Sequence, residues 1–353
     1  MRKGKRLIAW IMAVVMLFTI CVFGGNGTAE AAATTPVAKH GRLSVKGADL
    51  VDSKGNKFQL RGISTHGINW DVGSPYVNKK AFKTLRDDWG VNAIRLAMYT
   101  EEYNGYCSGG SQAKLRKQVD KGVGYATDLG MYAIIDWHIL SDGNPNKNKS
   151  QAKKFFTAMA KKYKNNKNVI YEICNEPNGC SWKEIKSYAT DIIKTIRKYD
   201  KKAVIIVGTP TWSQLGTDGT SNEVADSPIK GYKNIMYSLH FYASEWAHNE
   251  YLPAKVAYAR KKKFPIIVSE FGLSPASGDG AINKASADKW MKLLNKYNIS
   301  YFCWSLSNKN ESASLLKPST KKTSGWKSGD LSTAGKYIKK KYLARKKALG
   351  KKA

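Results

Sequence analysis

The stretch VIYEICNE, residues 169–176, is the starting point for interpreting this 353-residue chain. Apolar residues dominate both of its alternating sets of positions, which is typical of a strand buried on both faces of a parallel sheet. The run nevertheless ends in an amide and a carboxylate, Asn175 and Glu176, and Pro177 follows them. The stretch therefore predicts a buried parallel strand whose carboxyl end carries chemically active groups.

Seven other runs share this character, with Val, Ile and aromatic residues dominating. They are FQLRGIS (58–64), VNAIRLAM (91–98), MYAIIDWH (131–138), AVIIVG (203–208), IMYSLHFY (235–242), PIIVSEFG (265–272) and ISYFCWSLS (299–307). Segments with helical spacing separate most of them, at 79–90, 112–130, 150–164, 181–199, 254–263 and 284–297, and another lies at 334–348. Eight strands that alternate with helices predict an α/β fold, a (β/α)8 TIM barrel. No GxGxxG follows the first strand, which argues against a dinucleotide-binding fold.

The regions outside the barrel have distinct compositions. Residues 43–57 predict a short N-terminal β-hairpin that closes one end of the barrel, with Ser53-Lys54-Gly55-Asn56 as its turn. We assign residues 1–31 to a signal peptide, 32–42 to a linker, 43–340 to the barrel domain and 341–353 to a lysine-rich C-terminal tail. The weakest helix prediction is the segment after the fifth strand.

The first 31 residues have the pattern of an export signal. MRKGKR is basic, Leu7 to Phe23 is an uncharged run of seventeen residues, and Ala29-Glu30-Ala31 matches a signal peptidase site. The alternative is an uncleaved anchor, because seventeen residues reach the lower limit for a spanning helix. We expect a secreted, extracellular protein without stable membrane association after cleavage.

Cysteine content and charge exclude several classes of protein. Cys107, Cys174, Cys180 and Cys303 are too few for a disulfide-built scaffold and have no zinc-ligand spacing. Cys174 and Cys303 lie in apolar strands, whereas a link between Cys107 and Cys180 stays open. The formal net charge of +32 comes from dispersed lysines without a nucleic-acid motif. It favours a solvated basic surface, with weak attraction to anionic cell-wall polymers as the alternative. We expect a monomer with no nucleic-acid partner.

Polar and aromatic residues follow almost every predicted strand. In a barrel these ends converge on one face, where barrel enzymes keep their active sites. Glu176 and Glu270 end the fourth and seventh strands, so they are predicted to face each other across the mouth. Paired carboxylates suit glycoside hydrolysis, in which one carboxyl must stay protonated while the other is ionised.

Neighbouring side chains have the chemistry to divide these two roles. Arg95 and Tyr242 are suitable donors to an ionised Glu270, and Asn175 beside the acid can hold a sugar hydroxyl. His138 and His240 can orient carboxyls or bind hydroxyls.

Tryptophans point to a polymeric sugar substrate. Five of them fall in loops or strand ends on the same predicted face, where indoles can stack on pyranose rings: Trp70, Trp137, Trp212, Trp246 and Trp304. Three others lie on helices and are predicted to be core residues: Trp89, Trp182 and Trp290.

From about Leu43 to Lys340 the chain resembles glycoside hydrolase family 5, and most closely its bacterial endo-β-1,4-glucanase (cellulase) branch. The motifs that carry the resemblance, in addition to NEP (175–177) and SEFG (269–272), are RLAMY (95–99), DWHIL (136–140), SLHFY (238–242) and WSLSNKNE (304–311). The resemblance implies a retaining double displacement, with Glu176 as acid/base and Glu270 as nucleophile, and with no metal or cofactor.

The resemblance also implies supporting roles for Arg95, His138, Asn175, His240, Tyr242 and Trp304. It places His66, Trp70 and Tyr99 in substrate subsites, Lys309 and Glu311 on glucose hydroxyls away from the cleaved bond, and Trp212 as a stacking platform on the leaving-group side. The shared motifs do not separate a β-glucan substrate from mannan, xyloglucan, chitosan or mixed-linkage glucan. A barrel that binds carbohydrate without catalysis, or a basic cell-wall-binding protein, is a rival from another class.

Overall fold

The computed structural model describes residues 35–350. The predicted signal peptide, residues 32–34 of the linker and the last three residues of the tail lie outside them. The ten strands are β1 (Ser44–Lys46), β2 (Asp49–Val51), β3 (Arg61–Thr65), β4 (Ala93–Tyr99), β5 (Tyr132–His138), β6 (Val169–Glu172), β7 (Ile205–Val207), β8 (Ile235–Tyr242), β9 (Ile266–Gly272) and β10 (Tyr301–Leu306). The helices are α1 (Pro36–His40), α2 (Lys79–Trp89), α3 (Gln112–Asp128), α4 (Lys149–Tyr163), α5 (Trp182–Arg197), α6 (Pro210–Ser213), α7 (Glu223–Asp226), α8 (Trp246–Lys261), α9 (Lys284–Lys296) and α10 (Thr333–Gly350).

Strands β3 to β10 form a closed barrel in sequence order, and every neighbouring pair is parallel. The predicted (β/α)8 TIM barrel is confirmed. Between β7 and β8 the chain forms only the four-residue elements α6 and α7, which agrees with the weak helical pattern there. The carboxyl ends of all eight strands therefore lie on one face.

The helices begin where the sequence supplies capping side chains. Ser181 and Glu184 form a capping box at the start of α5, and Asn78 caps α2 by accepting from the Ala81 amide. Gly90 ends α2 with a φ of 75°, a conformation that favours glycine. These caps fix where the two helices begin and where α2 ends.

One irregularity in the barrel matters for the site. Ser238 pairs with Ile267, and His240 pairs with Glu270, so β9 has one more residue than β8 between the two pairs. Such a β-bulge changes the direction of side chains locally. Ser269 and Glu270 are consecutive, yet both make hydrogen bonds with side chains of the barrel interior.

The end of the barrel opposite these carboxyl ends is closed by the N-terminal segment. Leu43, Leu50 and Phe58 belong to one buried cluster with interior residues such as Ile134 and Ile206. The hairpin is confirmed, but its position differs from the prediction. Residues 47–48 connect β1 to β2, whereas Ser53–Asn56 form a second turn that brings Lys57 back against Val51.

Two boundaries also differ from the sequence-based prediction. The supposed linker contains α1, whose Val37 amide donates to the Gly130 carbonyl, and the Tyr132 hydroxyl donates to Gly41. The supposed tail continues α10 to Gly350. Its Tyr342 is fully buried and donates to the Gly62 carbonyl at 2.9 Å. Both segments pack on the barrel because their few apolar or aromatic residues find partners that the local pattern does not reveal.

The remaining predictions about the core hold. Cys174 and Cys303 are buried, and all four cysteines of the described residues are free thiols, including Cys107 and Cys180. The three helix tryptophans are buried: Trp89, Trp182 and Trp290. Within residues 35–350, no helix has the length and apolar content needed to cross a membrane.

Candidate active site

A cleft of about 610 Å³ opens at the carboxyl ends of the barrel strands. Glu176, His240 and Glu270 lie on its floor, and each contributes an atom within 4.8 Å of an atom from the other two. The structure thus brings the two predicted carboxylates together, although they are 94 positions apart in the sequence.

Glu270 has two hydrogen-bond donors. Arg95 Nη1 donates to one oxygen at 3.0 Å, and the Tyr242 hydroxyl donates to the other at 2.7 Å. Burial and the negative charge of Glu270 raise the pKa of Tyr242, so its hydroxyl keeps its proton. Hydrogen bonds from such donors stabilise the ionised form of a carboxyl. This arrangement suits Glu270 to act as a carboxylate.

Glu176 has the opposite environment. Its contact is with His240 Nδ1, at 2.8 Å from Oε1. Burial raises the pKa of Glu176 to about 8, with Asp136 and Glu172 adding to the rise and Arg95 opposing it. Burial also lowers the pKa of His240 to about 4, so the imidazole is neutral near pH 7. Glu176 therefore keeps a proton at neutral pH, which suits an acid.

Beneath these groups lies a layer of buried charges centred on Arg95. The guanidinium contacts Glu172 at 2.7 Å and Asp136 at 3.0 Å, in addition to Glu270. Burial alone would lower the pKa of Arg95, but the three carboxylates outweigh it and raise that pKa. Because a buried ion needs partners on every side, the cluster fixes the position of the guanidinium under the cleft.

His138 and Asn175 complete this layer. His138 Nδ1 lies 2.6 Å from Asp136, and burial lowers the His138 pKa to about 3, with Arg95 lowering it further. The Asn175 carbonyl oxygen accepts from Arg95 at 2.6 Å, while its amide nitrogen lies 3.0 Å from the Ile139 carbonyl and 3.3 Å from His138 Nε2. Both amide hydrogens thus have protein partners, so Asn175 can donate to a sugar hydroxyl only by replacing one of these bonds, whereas its oxygen can accept a second hydrogen bond.

Aromatic rings form the walls of the cleft. Trp304 stacks on His138 with ring centroids 5.2 Å apart, and Tyr99 lies 4.5 Å from Trp70. Trp212 is 45% exposed and lies on the loop after β7, across the barrel mouth from Trp70 and Trp304. Its own backbone is in the left-handed region, with a φ of 52°. Three predicted stacking residues, Trp70, Trp212 and Trp304, line the cleft.

The prediction for Trp137 is wrong. This residue is fully buried and packs against Phe155, Phe156 and Tyr106 outside the barrel. Its neighbours on β5, Asp136 and His138, face the interior, and alternate residues of a strand point to opposite sides. Trp246 is 69% exposed at the first turn of α8, and it does not belong to the wall of the cleft.

The predicted glucose-binding residues lie together at one end of the cleft. Lys309 Nζ is 2.5 Å from Glu311 Oε2, and Glu311 Oε1 lies 3.7 Å from His66 Nε2. Burial lowers the pKa of His66 to about 3, with Lys309 contributing. Glu311 Oε1 is buried without a hydrogen-bond partner, so it is an acceptor available to a ligand hydroxyl.

The sequence patterns missed several residues of the site. Glu172, Ser238 and Ser269 are single polar residues within apolar strands, and the sequence patterns assigned them no individual role. Glu102 and Glu245 line the cleft from loops, where a carboxylate is usually solvated. The alternation of β6 and β8 could have marked Glu172 and Ser238, because both share the inward side of their strands with known interior positions.

A metal ion is disfavoured by the chemistry of the floor. Within residues 35–350, Glu176, His240 and Glu270 have ligand atoms close enough together to share a cation. However, Glu270 already accepts from Arg95 and Tyr242, and the Arg95 guanidinium beside it repels a second cation.

The barrel and its unequal pair of carboxyl groups define a glycoside hydrolase. Comparison with known proteins gives the family. Residues 51–310 match the model of the cellulase family, glycosyl hydrolase family 5. An endoglucanase from Clostridium saccharobutylicum is 47% identical over 95% of this chain and 72% of its own length. Endoglucanase 5 from Pectobacterium carotovorum is 44% identical over 92% of this chain and 62% of its own length.

Solved structures agree with these sequence relatives. The catalytic domain of an endoglucanase from Thermobifida fusca has a TM-score of 0.82 and 37% identity, covering 88% of this chain and 99% of that domain. A variant of that domain has been solved in complex with cellotetraose. This chain belongs to glycosyl hydrolase family 5, and it is an enzyme of the cellulase type.

Proposed function

We propose that the chain is a secreted endo-β-1,4-glucanase that cleaves internal bonds of cellulose and related β-glucans with retention of configuration. The observation that carries the mechanism is the spacing of Glu176 and Glu270, whose nearest oxygens lie within 4.8 Å. Retaining glycosidases hold their carboxyl groups about 5–5.5 Å apart, whereas inverting enzymes need about 6.5–9.5 Å to admit a water molecule. An oxygen of Glu176 this close to an oxygen of Glu270 favours the shorter, retaining separation.

In the first step the Glu270 carboxylate attacks the anomeric carbon. The bond from that carbon to the glycosidic oxygen breaks, and Glu176 donates its proton to the departing oxygen. In the second step Glu176, now a carboxylate, takes a proton from water, and the water oxygen displaces Glu270 from the anomeric carbon. The raised pKa of Glu176 supports the acid role, and the two donors to Glu270 support the nucleophile role.

The cleft supports a polymeric β-glucan as substrate. It is open, and it has aromatic rings on both sides of the carboxyl pair, with hydroxyl-binding groups at the Lys309–Glu311 end. The relatives are endoglucanases, and the Thermobifida domain binds cellotetraose. These features favour a linear glucan over mannan or chitosan. The basic surface adds repulsion toward cationic chitosan.

Reducing-sugar release from carboxymethyl cellulose, barley mixed-linkage glucan, mannan and soluble chitosan tests this proposal. We expect release from the first two by the wild type and none by Glu176→Gln or Glu270→Ala. Glu250→Gln is the matched control, since Glu250 is exposed on α8. Cleavage of mannan or chitosan alone would keep the mechanism and overturn the substrate. No release anywhere would favour a carbohydrate-binding barrel.

Export and the monomeric state rest on the sequence and need their own tests. In a secreting host, the protein in the culture medium should begin at residue 32, after the Ala29-Glu30-Ala31 motif. An N-terminus at Met1 in the membrane fraction would instead support an anchor. Size-exclusion chromatography with light scattering should give one chain per particle.

A further inference from the structure

A line of hydrogen bonds connects Glu176 to the buried charges below the cleft. His240 Nδ1 lies 2.8 Å from Glu176, and its Nε2 lies 2.8 Å from the Ser269 hydroxyl. Ser269 lies 2.9 Å from the Ser238 hydroxyl, and Ser238 donates to Glu172 at 3.3 Å. All of the intervening side chains are buried, so water does not compete for these contacts.

The proton positions along this line follow from the group at its far end. Glu172 is ion-paired with Arg95 at 2.7 Å, and a guanidinium can only donate, so Glu172 acts as an acceptor. Among the described residues, Ser238 is the hydrogen-bond donor to Glu172 Oε1. A serine hydroxyl has one hydrogen. Once Ser238 gives it to Glu172, Ser238 must accept from Ser269.

The same hydrogen-bond reasoning extends to the His240 imidazole. The hydrogen of Ser269 points to Ser238, so Ser269 must accept from His240 Nε2. His240 Nε2 also lies 3.9 Å from Glu172 Oε1, which favours a hydrogen on that nitrogen. A neutral imidazole then has a bare Nδ1. Two bare acceptors 2.8 Å apart would repel, so the hydrogen between Nδ1 and Glu176 must belong to Glu176.

We propose that Ser269 and Ser238 are positioning residues that hold His240 as the Nε2–H tautomer, so that its Nδ1 accepts a hydrogen bond from the protonated carboxyl of Glu176. The proposal rests on Glu176 being the acid of the proposed function. In this arrangement a hydrogen bond stabilises the neutral form of Glu176 and not its carboxylate. The serines thereby help to keep Glu176 protonated.

Other charged groups face Glu176 and His240 as well. Glu270 and Glu172 face them from β9 and β6, and the Arg95 guanidinium carries positive charge from β4. Asp136 faces them from β5, and burial raises its pKa to about 7, against the opposing effect of Arg95. On β8, Tyr242 is neutral. His248 of α8 accepts from the Tyr242 amide and has a pKa lowered by burial. Apart from Glu172, which accepts from Ser238 at the far end of the line, none of these groups is a donor or acceptor in it, so they remain in place when a serine hydroxyl is removed.

The direct test is the ¹⁵N spectrum of the histidine side chains, which distinguishes a protonated from a bare ring nitrogen. The chain has five histidines, so the spectrum is tractable, and His240→Gln identifies the His240 signals. We expect a protonated Nε2 and a bare Nδ1 for His240 at pH 7. A protonated Nδ1 in the wild type would overturn the proposal, whatever the protein's activity on any polysaccharide.

The functional test is the pH profile of kcat/KM on a soluble β-glucan. Without the Ser269 hydroxyl, His240 is free to carry its hydrogen on Nδ1 and donate to a Glu176 carboxylate. We therefore expect Ser269→Ala to move the alkaline limb toward acid by about one pH unit. Ser238→Ala should move the alkaline limb in the same direction. Ser269→Thr keeps the hydroxyl, so its alkaline limb should lie at the wild-type position.

Ser300→Ala is the matched control, because Ser300 is a buried serine that accepts from the Leu60 amide far from the line. Its alkaline limb should stay in place even if its stability falls. Unmoved limbs in both Ser269→Ala and Ser238→Ala would overturn the proposal. If Ser269→Ala does not fold, Ser238→Ala and the wild-type ¹⁵N spectrum still decide it.

Discussion

Lys255 gives a prediction in which stability and activity can be separated. This lysine lies on α8 with only 3% of its surface exposed, and its ammonium donates to the Gln214 carbonyl at 3.0 Å and the Asp218 carbonyl at 2.6 Å. Both acceptors belong to the loop that carries Trp212. Lys255 therefore connects the Trp212 loop to α8 through two hydrogen bonds. Lys255→Met removes both bonds while keeping most of the apolar side chain.

Two opposing contributions set the effect on stability at neutral pH. Each hydrogen bond from a charged donor is worth about 1.5–3 kcal/mol. Against this, burial lowers the pKa of Lys255 from 10.5 to about 8, a shift that costs the folded state about 3 kcal/mol at about 1.4 kcal/mol per unit. With two such bonds, we expect Lys255→Met to lower the free energy of unfolding by about 0–3 kcal/mol at pH 7.

The pH dependence has a definite sign. The folded pKa lies below the unfolded one, so the cost of the buried ammonium is fully present below pH 8 and disappears as pH rises toward 10.5. The free energy of unfolding of the wild type, minus that of Lys255→Met, should rise by about 2–3 kcal/mol between pH 7 and pH 10. Taking the difference cancels the titration of groups common to both proteins.

Denaturant unfolding at the two pH values measures this difference, with Lys261→Met, an exposed lysine on the same helix, as control. The control should show no such rise. A loosened Trp212 loop should also lower kcat/KM on soluble β-glucan by about tenfold, equivalent to about 1.4 kcal/mol. If the stability difference is the same at pH 7 and pH 10, then Lys255 is not desolvated and the reasoning is refuted.

Three other predictions follow from the site and the corrected boundaries. The pKa of Glu176 is raised to about 8, so kcat/KM should fall as pH rises through about 8; a limb near pH 4.3, the usual value for glutamate, would contradict this. Trp212→Ala should lower polymer hydrolysis with less than about 1 kcal/mol change in unfolding free energy, whereas Trp137→Ala should cost about 3–5 kcal/mol by denaturant unfolding. A large loss of stability in Trp212→Ala, with little loss in Trp137→Ala, would contradict the assignment of Trp212 to the cleft and Trp137 to the core. Truncation after Lys340 removes Tyr342 and should lower the Tm by several degrees; an unchanged Tm would mean that the end of α10 adds no stability.

The barrel was predictable because its signal is repeated. Eight apolar runs with intervening helical segments allow few other arrangements, and the closed parallel sheet agrees with them. Errors occurred where a segment has little apolar surface of its own. Residues 36–40 and 341–350 are short or lysine-rich, and they pack on the barrel through single residues such as Val37 and Tyr342.

The proximity of Glu176 and Glu270 was predictable for a similar reason, since strand order places them on one face. What the sequence could not supply was the environment that makes the two carboxyls unequal. That environment depends on Glu172, Ser238 and Ser269, which are isolated polar residues in apolar strands. Trp137 shows the converse error, because proximity to a strand end does not tell which side of the barrel a residue faces.

The central claim is that Glu270 becomes covalently attached to the sugar while Glu176 supplies the proton. A 2-deoxy-2-fluoro β-cellobioside with a dinitrophenolate leaving group slows the second step and should trap the first product. We expect mass spectrometry of the digested wild type to find the disaccharide on the peptide containing Glu270, and no adduct in Glu270→Gln. An adduct on Glu176, or release of dinitrophenolate with inversion at the anomeric carbon and no adduct, would contradict the account.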